Sequence, residues 1–199
     1  MNPIHLRSTV SFWCVVIMCY SAEVSFLTWG FGMASALLLW SQGQPLKSFI
    51  FPLVVVQMQL IEGLQWMGAV DERLLAIAGK LAIYAQPVAG MVEAGRMSWI
   101  LPYVVLQGLL ELLAGSRNLS FAVAEDGHLR WDWLDEGSMT SIPYWVALFA
   151  VTYILYPPGV GLFFLGLLLY YGVKHWKYET WGSTWCVSVN LLWFYYLLR

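Results

Sequence analysis

Charge is the scarcest thing in this sequence: Asp, Glu, Lys and Arg make up 11% of its 199 residues. A soluble globular domain carries about one quarter. Cysteine is scarce too. Cys14, Cys19 and Cys186 are too few for a disulfide framework and lack zinc-finger spacing. There is no HExxH, no GxSxG and no P-loop, so the familiar metalloprotease, serine-hydrolase and nucleotide-binding signatures drop out. No Arg-rich helix points to voltage sensing. The last apolar run holds no Lys for a retinal Schiff base. The net charge of −2 gives no reason to expect a nucleic-acid partner or a polybasic membrane tether.

What is abundant is apolar. Hydrophobic residues reach 60% and mean hydropathy is +0.65. Twelve Trp and eleven Tyr suit membrane interfaces, where a ring buries its body and wets its tip. A chain of this length cannot hide so many apolar runs from water. The expected class is an all-α integral membrane protein. Its partners are then the lipid bilayer and, beyond it, other membrane subunits or copies of itself.

A spanning helix needs about 17–25 apolar residues. That rule predicts a seven-helix transmembrane bundle, with helices over about 12–40, 48–70, 74–94, 98–115, 142–156, 158–175 and 180–198. The first run follows a charged start (His5, Arg7) but is too long for a signal-peptide core, so it is expected to be retained. Tyr156-Pro157-Pro158-Gly159 marks a turn between the fifth and sixth helices. If it were only a kink, the count would fall to six. Gly30, Gly32, Ala34 and Ser35 offer a small-residue face for close packing.

One polar connection is long, residues 115–141. Phe121 and Val123 recur at every second residue, then Leu129, Trp131 and Trp133 do so against Arg130 and Asp132, and Asp126-Gly127 lies between the two runs. Period two around Asp-Gly predicts a small β-hairpin between helices 4 and 5, lying over one membrane face. Its Trp side chains dip into the interface or cap the bundle.

If the start of helix 1 defines a near side, Cys19, Glu23, Glu62, Glu111, His175, Ser183 and Cys186 all fall in the near half. Lys80 and Glu93 on helix 3 are the main ionisable groups outside that grouping. A charge at mid-bilayer costs at least about 2.5–3.5 kcal/mol. Glu23, Glu62 and Glu111 are therefore expected to pair, protonate or share a polar recess under one rim. The bland alternative is that each caps a neighbouring helix or bonds backbone.

Several short blocks sharpen this. In "QMQLIEGLQWMG", 57–68, Gln59, Glu62 and Trp66 form one helical stripe, and Gly63 admits a neighbour. In "GSTWCVSVN", 182–190, Ser183, Cys186 and Asn190 follow one face. Helices 1 and 7 are often neighbours in such bundles. Cys19 and Cys186 are then candidates for a disulfide or, with His175, for a soft-metal site; two buried thiols acting as small apolar groups are the commoner outcome. Pro87 falls mid-helix and frees a carbonyl near Ile83. His128 and Arg130 on the hairpin either gate access from water or are simply solvated. Asn118-Leu-Ser is a glycosylation sequon that arises easily by chance.

"MCYSAEVSF" at 18–26, "EGLQW" at 62–66 and "GSTWC" at 182–186 resemble blocks of a group of uncharacterised small polytopic membrane proteins. In that group Met-Cys-x-Ser-Ala opens the chain and Glu-Gly-x-x-Trp follows in the next helix. The matching blocks cover about a fifth of this sequence. Here Met18-Cys19 is internal, so residues 1–17 are an extension or Met18 is an alternative start. The resemblance implies Cys19, Ser21, Glu62, Trp66, Trp185 and Cys186 as one constellation. It implies no activity and no cofactor.

More Lys and Arg fall on the near side than on the far side, which by the positive-inside rule places the near side in the cytoplasm. Three functional readings stay open. One is a pocket of Cys19, Ser21, Glu23, Gln59, Glu62, Trp66, Glu111, Ser183, Trp185 and Cys186 that binds an ion, proton or small solute for transport, conduction or sensing. Another is a membrane-embedded enzyme with a Cys/Glu/His site, with or without a metal. The third is a structural subunit of a larger complex.

Overall fold

The structure, a computed structural model, describes residues 21–114, 118–133, 140–178, 180 and 190–199. The chain is mostly helical. Six helices carry the labels α1 (Ala22–Ser41), α2 (Ile50–Met67), α3 (Glu72–Glu93), α4 (Ile100–Ala114), α5 (Ser141–Leu155) and α6 (Pro158–His175). Residues 190–197 are helical as well. Between α4 and α5 lie two short strands, β1 (Phe121–Val123) and β2 (Leu129–Trp131).

α1, α2 and α3 are long and apolar enough to cross a bilayer. Among the described residues that is three clear spans, against the expected seven; residues 12–20 of the first expected span and 181–189 of the last lie outside the described residues. α4 and α5 have only fifteen residues each. α6 has eighteen, but spends its first two on Pro158 and Gly159 and its last two on Lys174 and His175. The helices carry large apolar side chains on their outer as well as their inner faces. Leu37, Trp40, Leu81, Leu101, Leu112 and Val173 point outward and exposed, while Phe51, Val55, Met58 and Leu148 are wholly buried. A helix apolar all round needs either protein or lipid on every side.

Local chemistry sets the helix ends. α1 begins where Ser21, extended at φ −158°, accepts the Val24 N–H at 3.3 Å. Asp71 does the same for α3, accepting the Leu74 N–H at 3.1 Å. α5 stops because Tyr156 precedes a proline and is driven extended, at φ −111° and ψ 150°. Pro158 then starts α6, where its missing N–H costs nothing. The Pro-Pro-Gly stretch is a break and not a kink.

α2 lies between α1 and α3; α3 packs on α5, and α5 on α6. On α1 the buried face is Gly32, Ser35, Ala36 and Leu39, one turn apart. Gly30 has nothing near it and Ala34 is exposed, so the small-residue face is rotated from the expected one. A Cβ on Gly32 would stand 2.6 Å from Val56 Cγ2 and 2.8 Å from Trp193 Nε1. Phe31 also meets Phe194 at 5.5 Å. Helix 190–197 is thus a neighbour of α1.

Gly90 shows how close α3 and α5 come: an added Cβ would sit 2.1 Å from Val151 Cγ1. Gly90→Ala should destabilise the protein by about 1–3 kcal/mol through overpacking. Thermal unfolding in detergent followed by circular dichroism checks it. An unchanged midpoint would mean that α3 and α5 are not in contact there.

The hairpin pairs Phe121 with Trp131, Ala122 with Arg130 and Val123 with Leu129. Gly127 donates its N–H to the Ala124 carbonyl at 2.9 Å and takes φ 82°. Ala124 in turn donates to the His128 carbonyl at 2.9 Å. Glu125, Asp126 and Gly127 therefore form a three-residue loop with glycine in its left-handed position. Trp131 and Trp133 stack at 5.4 Å and are buried, and Phe121 meets Trp133 edge-on at 6.2 Å. A Cβ on Gly79 of α3 would lie 2.8 Å from Trp133 Cζ2. Glu72, in the first turn of α3, accepts the Phe121 N–H at 2.6 Å. The hairpin is a lid pinned on α3, with its tryptophans turned into the bundle.

Candidate functional site

α2 is the central helix of the first three, so its inward residues are sealed from every side. Two of them are polar. Gln59 and Glu62 have no exposed surface, and Gln59 Nε2 donates to Glu62 Oε2 at 3.3 Å. Their three-residue spacing puts both on one face. Gly63, next in the chain, lets α1 approach: a Cβ there would be 3.1 Å from the Phe26 ring. Trp66 lies one turn on and is half-buried. A carboxyl sealed this deeply in an apolar helix is costly unless polar atoms surround it.

A second polar run joins α3 to α4. Lys80 Nζ lies 2.5 Å from Glu111 Oε2, and the Tyr84 hydroxyl donates to Glu111 Oε1. The Tyr103 hydroxyl donates to the Tyr84 carbonyl at 3.2 Å, one residue from the carbonyl that Pro87 releases. Gln107 Nε2 reaches the Thr140 carbonyl at 2.8 Å. Tyr103, Gln107 and Glu111 recur every four residues, hence one face of α4 against its neighbours. That spacing is readable in the sequence.

Glu93, at the opposite end of α3, has a different role. It accepts the Phe51 N–H at 3.0 Å and the Tyr196 hydroxyl. α2 opens without a side-chain cap of its own, and the carboxylate of a neighbouring helix supplies one. Negative charge at a helix N-terminus is favourable. Tyr196 is also bonded to Tyr156 through their hydroxyls, 3.1 Å apart.

The third polar centre is on the lid. Asp126 of the hairpin loop faces the last turn of α6. His175 Nδ1 lies 3.1 Å from Asp126 Oδ2, Thr180 Oγ1 donates to the same oxygen at 2.6 Å, and the His128 N–H donates to Oδ1 at 3.2 Å. His128 is wholly buried and His175 nearly so, and their rings meet edge-on at 5.5 Å. Burial pushes the His128 imidazole down to about 4; the Asp126 carboxylate opposes this, while His175 and Lys174 reinforce it. Burial alone would raise Asp126. The hydrogen bonds from Thr180, His175 and His128 outweigh it and hold the carboxyl below its usual range. At pH 7 the centre is a carboxylate beside a neutral His128.

Of the expected pocket residues, those described fall in several places. Gln59, Glu62 and Trp66 share one face of α2, and Glu111 pairs with Lys80 and Tyr84 of α3. Glu23 does not join a shared recess: it is exposed in the first turn of α1, where the helix dipole favours an acid, and Ser21 caps the helix beside it. Cys19, Ser183, Trp185 and Cys186 lie outside the described residues. His175 faces Asp126 and His128. His128 is not a solvated loop residue but a buried one, although strict alternation would set it opposite Leu129 and Trp131, on the side of Arg130 and Asp132. A groove of about 310 Å³ is lined by Met33, Ala36, Leu37, Trp40, Leu46, Phe49 and Leu53, at the far end of α1, and is apolar. No protein-family profile, curated protein or solved structure matches this chain.

Proposed function

We propose that this chain is a multi-pass integral membrane protein of seven helices that binds a proton or small cation at buried carboxyls in the near half of its bundle. Glu62 is the central group, Gln59 orients it, and the Lys80–Glu111–Tyr84 run is the neighbouring relay. The observation that carries the reading is Glu62. It is an acid with no exposed surface, on a helix long and apolar enough to cross a bilayer, held by a carboxamide. Ionisable groups kept at such depth belong characteristically to ion and proton paths. The blocks shared with the small polytopic membrane proteins include Glu62 and Trp66 and agree with this choice.

The test is flux. The purified chain in liposomes, with a pH-sensitive dye or a Na⁺ or K⁺ reporter inside, should relax an imposed gradient. Glu62→Gln should abolish this, whereas Glu93→Gln, which takes the charge and one acceptor from a helix cap, should leave residual flux in whatever fraction folds. Wild-type liposomes no leakier than empty ones to any of the three cations would end the proposal.

A further inference from the structure

Asp126, His128 and His175 each offer one ligating atom, and these atoms all lie within 4.8 Å of one another. Among the described residues no other three such side chains converge this way. Ligand atoms about 2.0–2.2 Å from a tetrahedral zinc stand about 3.4 Å apart. Closing on an ion thus needs about one ångström of side-chain movement, which rotamer adjustment supplies. Two of the groups are buried, and Asp126 is partly exposed, giving a way in. His175 Nε2 is buried and bonded to no described residue, while its Nδ1 meets the carboxylate. Thr180 fixes the carboxylate from the outside, as an outer-shell partner does. His175 also ends α6, and the C-terminal end of a helix favours a cation.

We propose that Asp126, His128 and His175 form a binding site for one divalent transition-metal ion of the zinc class, which clamps the hairpin lid to the end of α6. Two imidazole nitrogens and one carboxylate oxygen suit Zn²⁺, Co²⁺, Ni²⁺ or Cu²⁺ and disfavour Mg²⁺ and Ca²⁺, which take oxygen ligands. This site is on the lid, apart from the Glu62 centre, and is independent of the flux proposal.

The test uses the full chain in detergent, stripped by a chelator and titrated with Zn²⁺ against a chromophoric competitor. One ion per chain is expected, with a rise in the thermal midpoint as metal stabilises the folded state. His128→Ala and His175→Ala should each weaken binding by more than the about 10–100-fold that loss of an outer-shell partner costs. Serine at Cys14, Cys19 and Cys186 together should leave it intact. Should the histidine variants fail to fold, the Co²⁺-loaded wild type decides: a visible spectrum without thiolate charge transfer supports the site. No uptake above the competitor, binding indifferent to both histidines, or a thiolate spectrum lost with the serine variant overturns it.

Discussion

Trp133→Ala should lower stability by about 3–5 kcal/mol, the cost of emptying a buried tryptophan site. The indole is almost fully buried, stacked on Trp131, met edge-on by Phe121 and seated against Gly79 of α3. Removing it takes away the contact that turns the hairpin into a lid. The Glu72 bond to the Phe121 N–H then holds one strand only. Two readouts are expected to move together: a lower thermal midpoint, and proteolysis within residues 118–133. Trp133→Phe should recover part of both. If Trp133→Ala melts like the wild type and its hairpin stays protected, the tryptophan does not pin the lid.

Lys80→Met should cost roughly 2–4 kcal/mol, somewhat below the about 3–5 that breaking a fully buried pair costs. Lys80 and Glu111 keep 16% and 20% of their side-chain surface, so water screens the orphaned carboxylate a little. The damage comes from leaving the Glu111 carboxyl without its lysine partner, with only the Tyr84 hydroxyl bonded to it among the described residues, not from losing an attraction of that size. The double variant Lys80→Met with Glu111→Leu should therefore regain most of the loss. A coupling of about 0.5–3 kcal/mol in the double-mutant cycle is the expected signature. Additive losses would mean that the two side chains do not act as a pair.

How far the sequence was readable varies with the range of the interaction. The hairpin was legible because its signals are local: period-two alternation and Asp126-Gly127, whose glycine takes the positive φ the loop requires. The break at Tyr156-Pro157 was legible for the same reason, since proline sterics act on the preceding residue. The apolar character of the helices was legible from composition. The number of spans was not, because apolar runs of fifteen residues read alike whether they cross a bilayer or pack half inside it.

The candidate sites divide the same way. Gln59 and Glu62 could be paired from their spacing on one helix. Lys80 could not be placed, because its partner Glu111 is on another helix and depends on how α3 and α4 rotate. Glu93 looked like an ionisable exception in the other half of the bundle and is a cap for α2, a role that exists only once α2 and α3 lie side by side. Glu23 looked embedded because the apolar run begins well before it, yet Ser21 starts α1 just ahead of it.

By itself the sequence determined an apolar, mostly helical chain with a small hairpin between its fourth and fifth helices, because periodicity, proline and glycine act over a few residues and carry their physics with them. Tertiary structure alone decided which polar groups meet. Asp126 lies 49 residues before His175 in the chain and 3.1 Å from it in space. Nothing in a linear pattern sets that distance, because it follows from how the hairpin folds back over α3 and brings its loop to the end of α6.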